Sequence, residues 1–106
     1  MSRRIVFAGR SGTEYSYSPL TPQERLRPIA GNWVVVRTGG PKSQILAAGE
    51  TDNLARMPWE PLLMRAVEDH GEAEVLIRLN VRSAIRREEL EDLIAAHRPP
   101  LSLERA

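Results

Sequence analysis

The stretch richest in residues that could do chemistry runs from Ile45 to Arg56 and reads Ile-Leu-Ala-Ala-Gly-Glu-Thr-Asp-Asn-Leu-Ala-Arg. Its apolar run ends at Gly49, Thr51 and Asp52 are residue types that cap helices, and an apolar-periodic segment starts at Leu54. The spacing therefore predicts a strand, a tight turn and a helix. Gly49 would supply a backbone free to take positive φ, and Thr51 or Asp52 would accept from the first unpaired helix N–H groups. Such a corner also offers backbone donors to an anion such as phosphate, although most strand-to-helix corners bind nothing. Tyr15 and Tyr17 share one face of a predicted strand and could stack on bases, but two rings at that spacing more often cover a core. Arg78, Arg82, Arg86 and Arg87 form a basic cluster. Glu88, Glu89, Glu91 and Asp92 follow at once, and local pairing on a solvated surface accounts for the pattern. His70 stands before Gly71, the place of a packed or helix-capping histidine.

The elements that must position these residues follow from periodicity and breakers. Arg4 to Ala8 and Thr13 to Ser18 are short β-prone runs around Gly9-Arg10-Ser11-Gly12, which reads as a hairpin. Pro19 to Pro28 is a proline-rich connector with room for a helical turn at Gln23 to Leu26. Gly31-Asn32 signals a turn. Trp33 to Arg37 is apolar at successive positions, hence a strand buried on both faces, and Ile45 to Ala48 returns beside it after the break at Gly39-Gly40-Pro41. Pro58 disfavours α geometry at Met57, so the helix after Gly49 should be short. Pro61 can start a second helix with Leu62, Leu63, Ala66 and Val67 on one stripe. Glu74 to Val81 alternates as a strand with Val75, Ile77, Leu79 and Val81 on one side, and Ser83 should cap a last helix reaching about His97, before Pro99-Pro100. The order predicts an α/β (α+β) fold, a small, mainly antiparallel sheet flanked by helices with an N-terminal β-hairpin.

At 106 residues the chain reads as one domain, with 1–30 as hairpin and connector and 31–102 as core. It has no cysteine, which removes disulfides, thiolate metal sites and a cysteine nucleophile, and suits a reducing cytoplasm. The apolar runs are too short to span a bilayer, so no membrane association and a cytoplasmic location are expected. The net charge of +1 hides an asymmetry of about +5 through Ala48 against about −4 from Gly49 onward. All but one of the basic residues are arginine, the side chain suited to two-pronged contact with phosphate or carboxylate.

Three patches in this order resemble the GIY-YIG nuclease family. Gly31-Asn32-Trp33 stands where that family begins its first core strand with Gly-Ile-Tyr. Ala47-Ala48-Gly49, followed by Glu50-Thr51-Asp52-Asn53-Leu54, is similar to its Tyr-Ile-Gly and the corner after it. Asp92 to Ser102 is similar to its closing Leu-Ile, Tyr, Pro and Asn pattern. Phe7 to Tyr15 also looks like the lead-in of small bacterial members. The resemblance implies a nuclease fold in which two tyrosines position the attacking water, an arginine stabilises the phosphate and a glutamate holds a divalent metal.

Those positions fall here on Trp33, Ala47, Met57 and Leu90, with Ser102 for the closing asparagine. An indole N–H can donate but cannot act as a base. Alanine has no polar side-chain atom, and Arg56, one residue before Met57, is rotated by about 100° on a helix. Leu90, Leu93 and His97 lie within about 60° of one another on a helical wheel, which turns Leu90 inward and Glu91 away. Leucine cannot coordinate Mg²⁺, which takes oxygen ligands. The implied domain is therefore catalytically inactive and without metal or cofactor. Glu50, Thr51, Asn53, Arg56, Arg86 and His97 remain near the implied cleft as candidate ligands for DNA, RNA or another anion. One alternative is a protein-interaction module with no ligand site, and the acidic second half suits a protein partner. The other is an active, Mg-dependent nuclease that uses Arg56 with unrecognised carboxylates.

Overall fold

A computed structural model describes residues 4–20, 27–37 and 44–101. The helical turn expected at Gln23 to Leu26, the break at Gly39-Gly40-Pro41 and the Ser102 position lie outside the described residues. Among those described, the chain runs β1 (Ile5–Ala8), β2 (Glu14–Pro19), β3 (Gly31–Arg37), β4 (Gln44–Thr51), a 3-10 turn (Leu54–Arg56), α1 (Glu60–His70), β5 (Ala73–Leu79) and α2 (Ser83–His97). The fold is α+β, a curled antiparallel sheet in the order β1-β2-β5-β3-β4 with two helices and the expected N-terminal hairpin. Among the described residues no helix is long and apolar enough to cross a membrane.

Strand alternation divides the core into two layers. Trp33, Val35 and Val75 face α1, where Leu46, Ala47, Leu54, Trp59, Leu62 and Ala66 join them. Val34, Val36 and Leu76 face the other way, packed with Phe7, Tyr15, Tyr17, Ile45 and Leu93 of α2. β3 is thus buried on both faces, as its unbroken apolar run requires. A bulge at Val35/Val36 pairs Val35 with Ala47 and Val36 with Ile45, leaving Leu46 as the extra residue.

Several local expectations need correction. Gly31-Asn32 is not a turn but the buried start of β3, paired with β4 and β5. β4 does not end at Gly49 but continues to Thr51. Gly49 is not among the positive-φ glycines and lies opposite Trp33 in register. A Cβ there would sit 2.3 Å from the indole Cζ2, so the position needs glycine for a close approach, not for a corner. The turn's N-cap is Asn53, whose side chain accepts from the Ala55 N–H, rather than Thr51 or Asp52. Ser83 is the first helical residue of α2, and Arg82 holds the cap position without a side-chain bond. β5 stops at Leu79, which is 64% exposed, with Val81 beyond it, so the alternation outlasts the strand. The shortness expected before Pro58 is present. A single 3-10 turn closes with Met57 in the left-handed region at φ 49°, because α geometry before proline clashes with its ring.

Candidate functional site

The positions that the resemblance equates with the two tyrosines lie together in the α1 layer. Trp33 is 1% exposed, its ring centroid is 6.2 Å from that of Trp59, and Ala47 is fully buried beside them. Two indoles therefore fill the space where a reacting group would have to sit. The Trp33 Nε1–H finds no acceptor among the described residues. Met57 is exposed at the end of the 3-10 turn. Leu90 lies on α2, which packs against the opposite face of the sheet and is half-buried there. The implied catalytic set is thus not brought together. Among the described residues no three His, Asp or Glu side chains are grouped to hold a metal ion. The residues present do not fit a Mg²⁺ site, since the implied ligand position carries an aliphatic side chain.

The candidate ligand residues fall into three sets. At the corner, Thr51 Oγ1 accepts from the Asn53 N–H at 3.1 Å and donates to the Asn53 carbonyl at 3.2 Å. The following amides bond within the turn or to the Ile29 carbonyl, so the donors that an anion would use are already engaged. Arg56 is exposed at the end of this turn.

Arg86 and Glu50 make the second set. Arg86 is only 5% exposed and donates through Nε to Glu50 Oε2 at 2.6 Å. Its Nη1 donates to the carbonyls of Asn80 at 3.2 Å and Val81 at 2.9 Å. Asn32, fully buried, donates to the Arg86 carbonyl and accepts from Asn80 Nδ2. The network pins the first turn of α2 to the end of β5 and to β4. Arg86 is therefore not part of a solvated local cluster. A buried guanidinium needs a carboxylate and several acceptors, and this one has them. Arg78 likewise reaches across to Glu89 at 2.9 Å rather than pairing along one helix.

His97 is the third. Its Nε2 donates to the Ala8 carbonyl at 2.8 Å and its ring meets Phe7 edge-on, so it ties the end of α2 to β1.

The sequence reading missed a cluster centred on Asp92. Its carboxylate accepts from Ser11 N–H at 2.9 Å, Ser11 Oγ at 2.7 Å and Tyr15 Oη at 2.7 Å, and its carbonyl accepts from Arg10. The hydrogen bonds from Tyr15 and then Ser11 hold the Asp92 carboxyl below its ordinary range. Burial first, and then the bond to Asp92, push the Tyr15 phenol up. Burial does the same to Tyr17. Gly9 admits this contact, because a Cβ there would sit 2.0 Å from Asp92 Oδ2. Tyr15 and Tyr17 are both buried, the core-covering role rather than a stacking platform. The Gly-rich hairpin and the acid run are both visible in the sequence, but nothing in it pairs residue 11 with residue 92.

Compared with known proteins, the chain matches no family model, no curated protein and no solved structure.

Proposed function

We propose that the chain is a GIY-YIG-like domain that binds nucleic acid without cleaving it. The observation that carries the absence of cleavage is the burial of Trp33 and Ala47 with Trp59 at the positions of the two tyrosines. No hydroxyl can reach a scissile phosphate from there, and Leu90 offers no oxygen to a metal. Binding draws on the order of the sequence motifs, the excess of arginine and the exposed Arg56, which suit phosphate contacts that weaken with salt.

The test is binding of short single- and double-stranded DNA and RNA at two salt concentrations, with and without Mg²⁺, with the products run on a gel. Salt-sensitive binding with intact strands is expected, and Arg56→Ala should weaken it and flatten its salt dependence. Metal-dependent cleavage would overturn the reading. A second reading, a protein-interaction module, is favoured by Met64 and Val67, which stand exposed three residues apart on α1. It predicts no nucleic-acid binding at low salt.

A further inference from the structure

The groove between β2 and β5 is lined by none of the positions that the resemblance singles out, although Ile77 lies opposite Trp33 in register. β2 and β5 pair only through Ser18 with Ile77 and Pro19 with Leu76. Beyond Ile77 the strands part like a fork, and the Arg78 side chain spans the gap, its Nη1 reaching the Ser16 carbonyl at 3.4 Å. Its Nε is held by Glu89, and its guanidinium carbon lies 5.7 Å from the centre of the Tyr15 ring. That arginine is thus positioned in advance, with its side chain still 31% exposed. Tyr15 and Tyr17 turn their rings toward α2, so Ser16 and Ser18 project from the other face of β2. Among the described residues α1 packs on β3 and β5 on that face, and Val6 of the hairpin is 47% exposed. Arg4, Ser16, Ser18, Ile77, Arg78 and Leu79 line a cavity of about 360 Å³. That is within the range of ~300–1,000 Å³ that small-molecule sites occupy.

We infer that this groove binds a phosphate group. Arg4 and Arg78 supply the positive charge, the Ser16 and Ser18 hydroxyls supply neutral donors, and Ile77 and Leu79 form an aliphatic floor for the organic part of the ligand. Glu89 offsets part of the Arg78 charge, so Arg4 carries most of the attraction and affinity is modest. The phosphate can belong to a mononucleotide or to a nucleic-acid strand. The aromatic rings of this region face α2, so a strand would be held by its backbone and not by base stacking.

The test uses adenosine 5′-monophosphate and a short oligothymidylate at about 20 mM salt, followed by amide shifts of Ser16, Ser18 and Leu79 in NMR spectra. Arg4→Gln removes an exposed charge without touching the core, and Arg37→Gln removes a like charge at the far end of β3. Shifts at the three amides, with binding weakened about three- to tenfold by Arg4→Gln and unchanged by Arg37→Gln, are expected. If the mononucleotide binds in this way, the groove takes a free phosphate ester. If only the oligonucleotide does, the phosphodiester backbone is the ligand. Phosphate binding without nucleic-acid binding would support the groove and sink the nucleic-acid reading above. Nucleic-acid binding that is indifferent to Arg4→Gln, or equally weakened by both variants, would overturn the groove alone. No binding of either probe would overturn it as well.

Discussion

The two faces of the sheet are held by different physics. Against α1 the contacts are apolar, with Trp33, Trp59, Leu46, Leu54 and Leu62 packed with almost no exposure. Against α2 an apolar cluster of Val34, Val36, Ile45, Leu76 and Leu93 is buried as well, but one of the two residues that the helix itself buries is the charged Arg86. There the attachment runs through named bonds: Arg86 to Glu50 at the first turn, Arg78 to Glu89 and Tyr15 to Asp92 along the middle, and His97 to Ala8 at the end. A layer sealed by burial tolerates few changes of shape. A layer that adds buried polar bonds to its packing is sensitive also to the loss of one partner, since the other is then left desolvated and unpaired.

The largest expected effect tests the apolar layer. Trp33→Ala should cost about 3–5 kcal/mol, because it opens a cavity beside Trp59 and removes most of the contact over Gly49. Urea unfolding measures it. A loss under about 1.5 kcal/mol would mean that this layer collapses around the gap and is not the rigid half of the molecule. Next comes the polar layer. Arg86→Ala leaves the Glu50 carboxylate and two carbonyls without their donor and should cost about 2–4 kcal/mol, below a fully buried pair because Glu50 is 22% exposed. Glu50→Ala and the double variant complete a cycle. Strictly additive losses would show that the two side chains do not act as a unit.

The sequence exposes the layers better than the bonds between them. Hydrophobic periodicity places β3, α1 and α2 within a residue or two, and Pro58 predicts the abrupt end of the turn at Met57. The fold class follows from that order. What periodicity cannot show is how far a strand runs into polar residues. Gly31-Asn32 and Gly49-Glu50-Thr51 have the composition of turns, yet ladder pairing with neighbouring strands keeps them extended. The candidate site is the least legible part, because chain order does not show which distant residues meet. Arg86 reads as a surface cation by its neighbours in sequence, whereas its burial depends on Glu50, Asn80 and Val81 meeting it in space.

Leu90 sharpens the comparison at intermediate size. It is half-buried on α2, so Leu90→Glu should destabilise by about 1–2 kcal/mol, less than a fully buried carboxylate would. No group of three metal-ligating side chains gathers there among the described residues. The variant should therefore gain no Mg²⁺ affinity, which calorimetric titration with MgCl₂ checks. Tight Mg²⁺ binding would instead mark position 90 as a vacated metal position and bring the two faces closer in function than their packing suggests.

The smallest effect at neutral pH, and the one with the clearest sign, belongs to Asp92. Its carboxyl is held below the ordinary value near 4, chiefly by the Tyr15 and Ser11 hydrogen bonds. A depressed folded value means that the folded state holds the proton less tightly than the unfolded one. The stabilisation is therefore fully present above about pH 4 and is lost as pH falls through the folded value. Asp92→Asn keeps the shape but removes the charge, so it should lower the unfolding midpoint at neutral pH by an amount that shrinks on acidification. The phenols on the same face carry the opposite sign. Tyr15 and Tyr17 are both raised, and the stability they contribute is complete below their ordinary value near 10 and is lost as pH rises through the higher folded values. Tyr15→Phe should thus weaken the acid response as well as the alkaline one, since one hydrogen bond links the two groups. If the wild-type and Asp92→Asn unfolding midpoints run parallel from pH 7 to pH 3, the hairpin is held to α2 by packing at Phe7 and Leu93 instead, and the contrast between the two faces loses its N-terminal half.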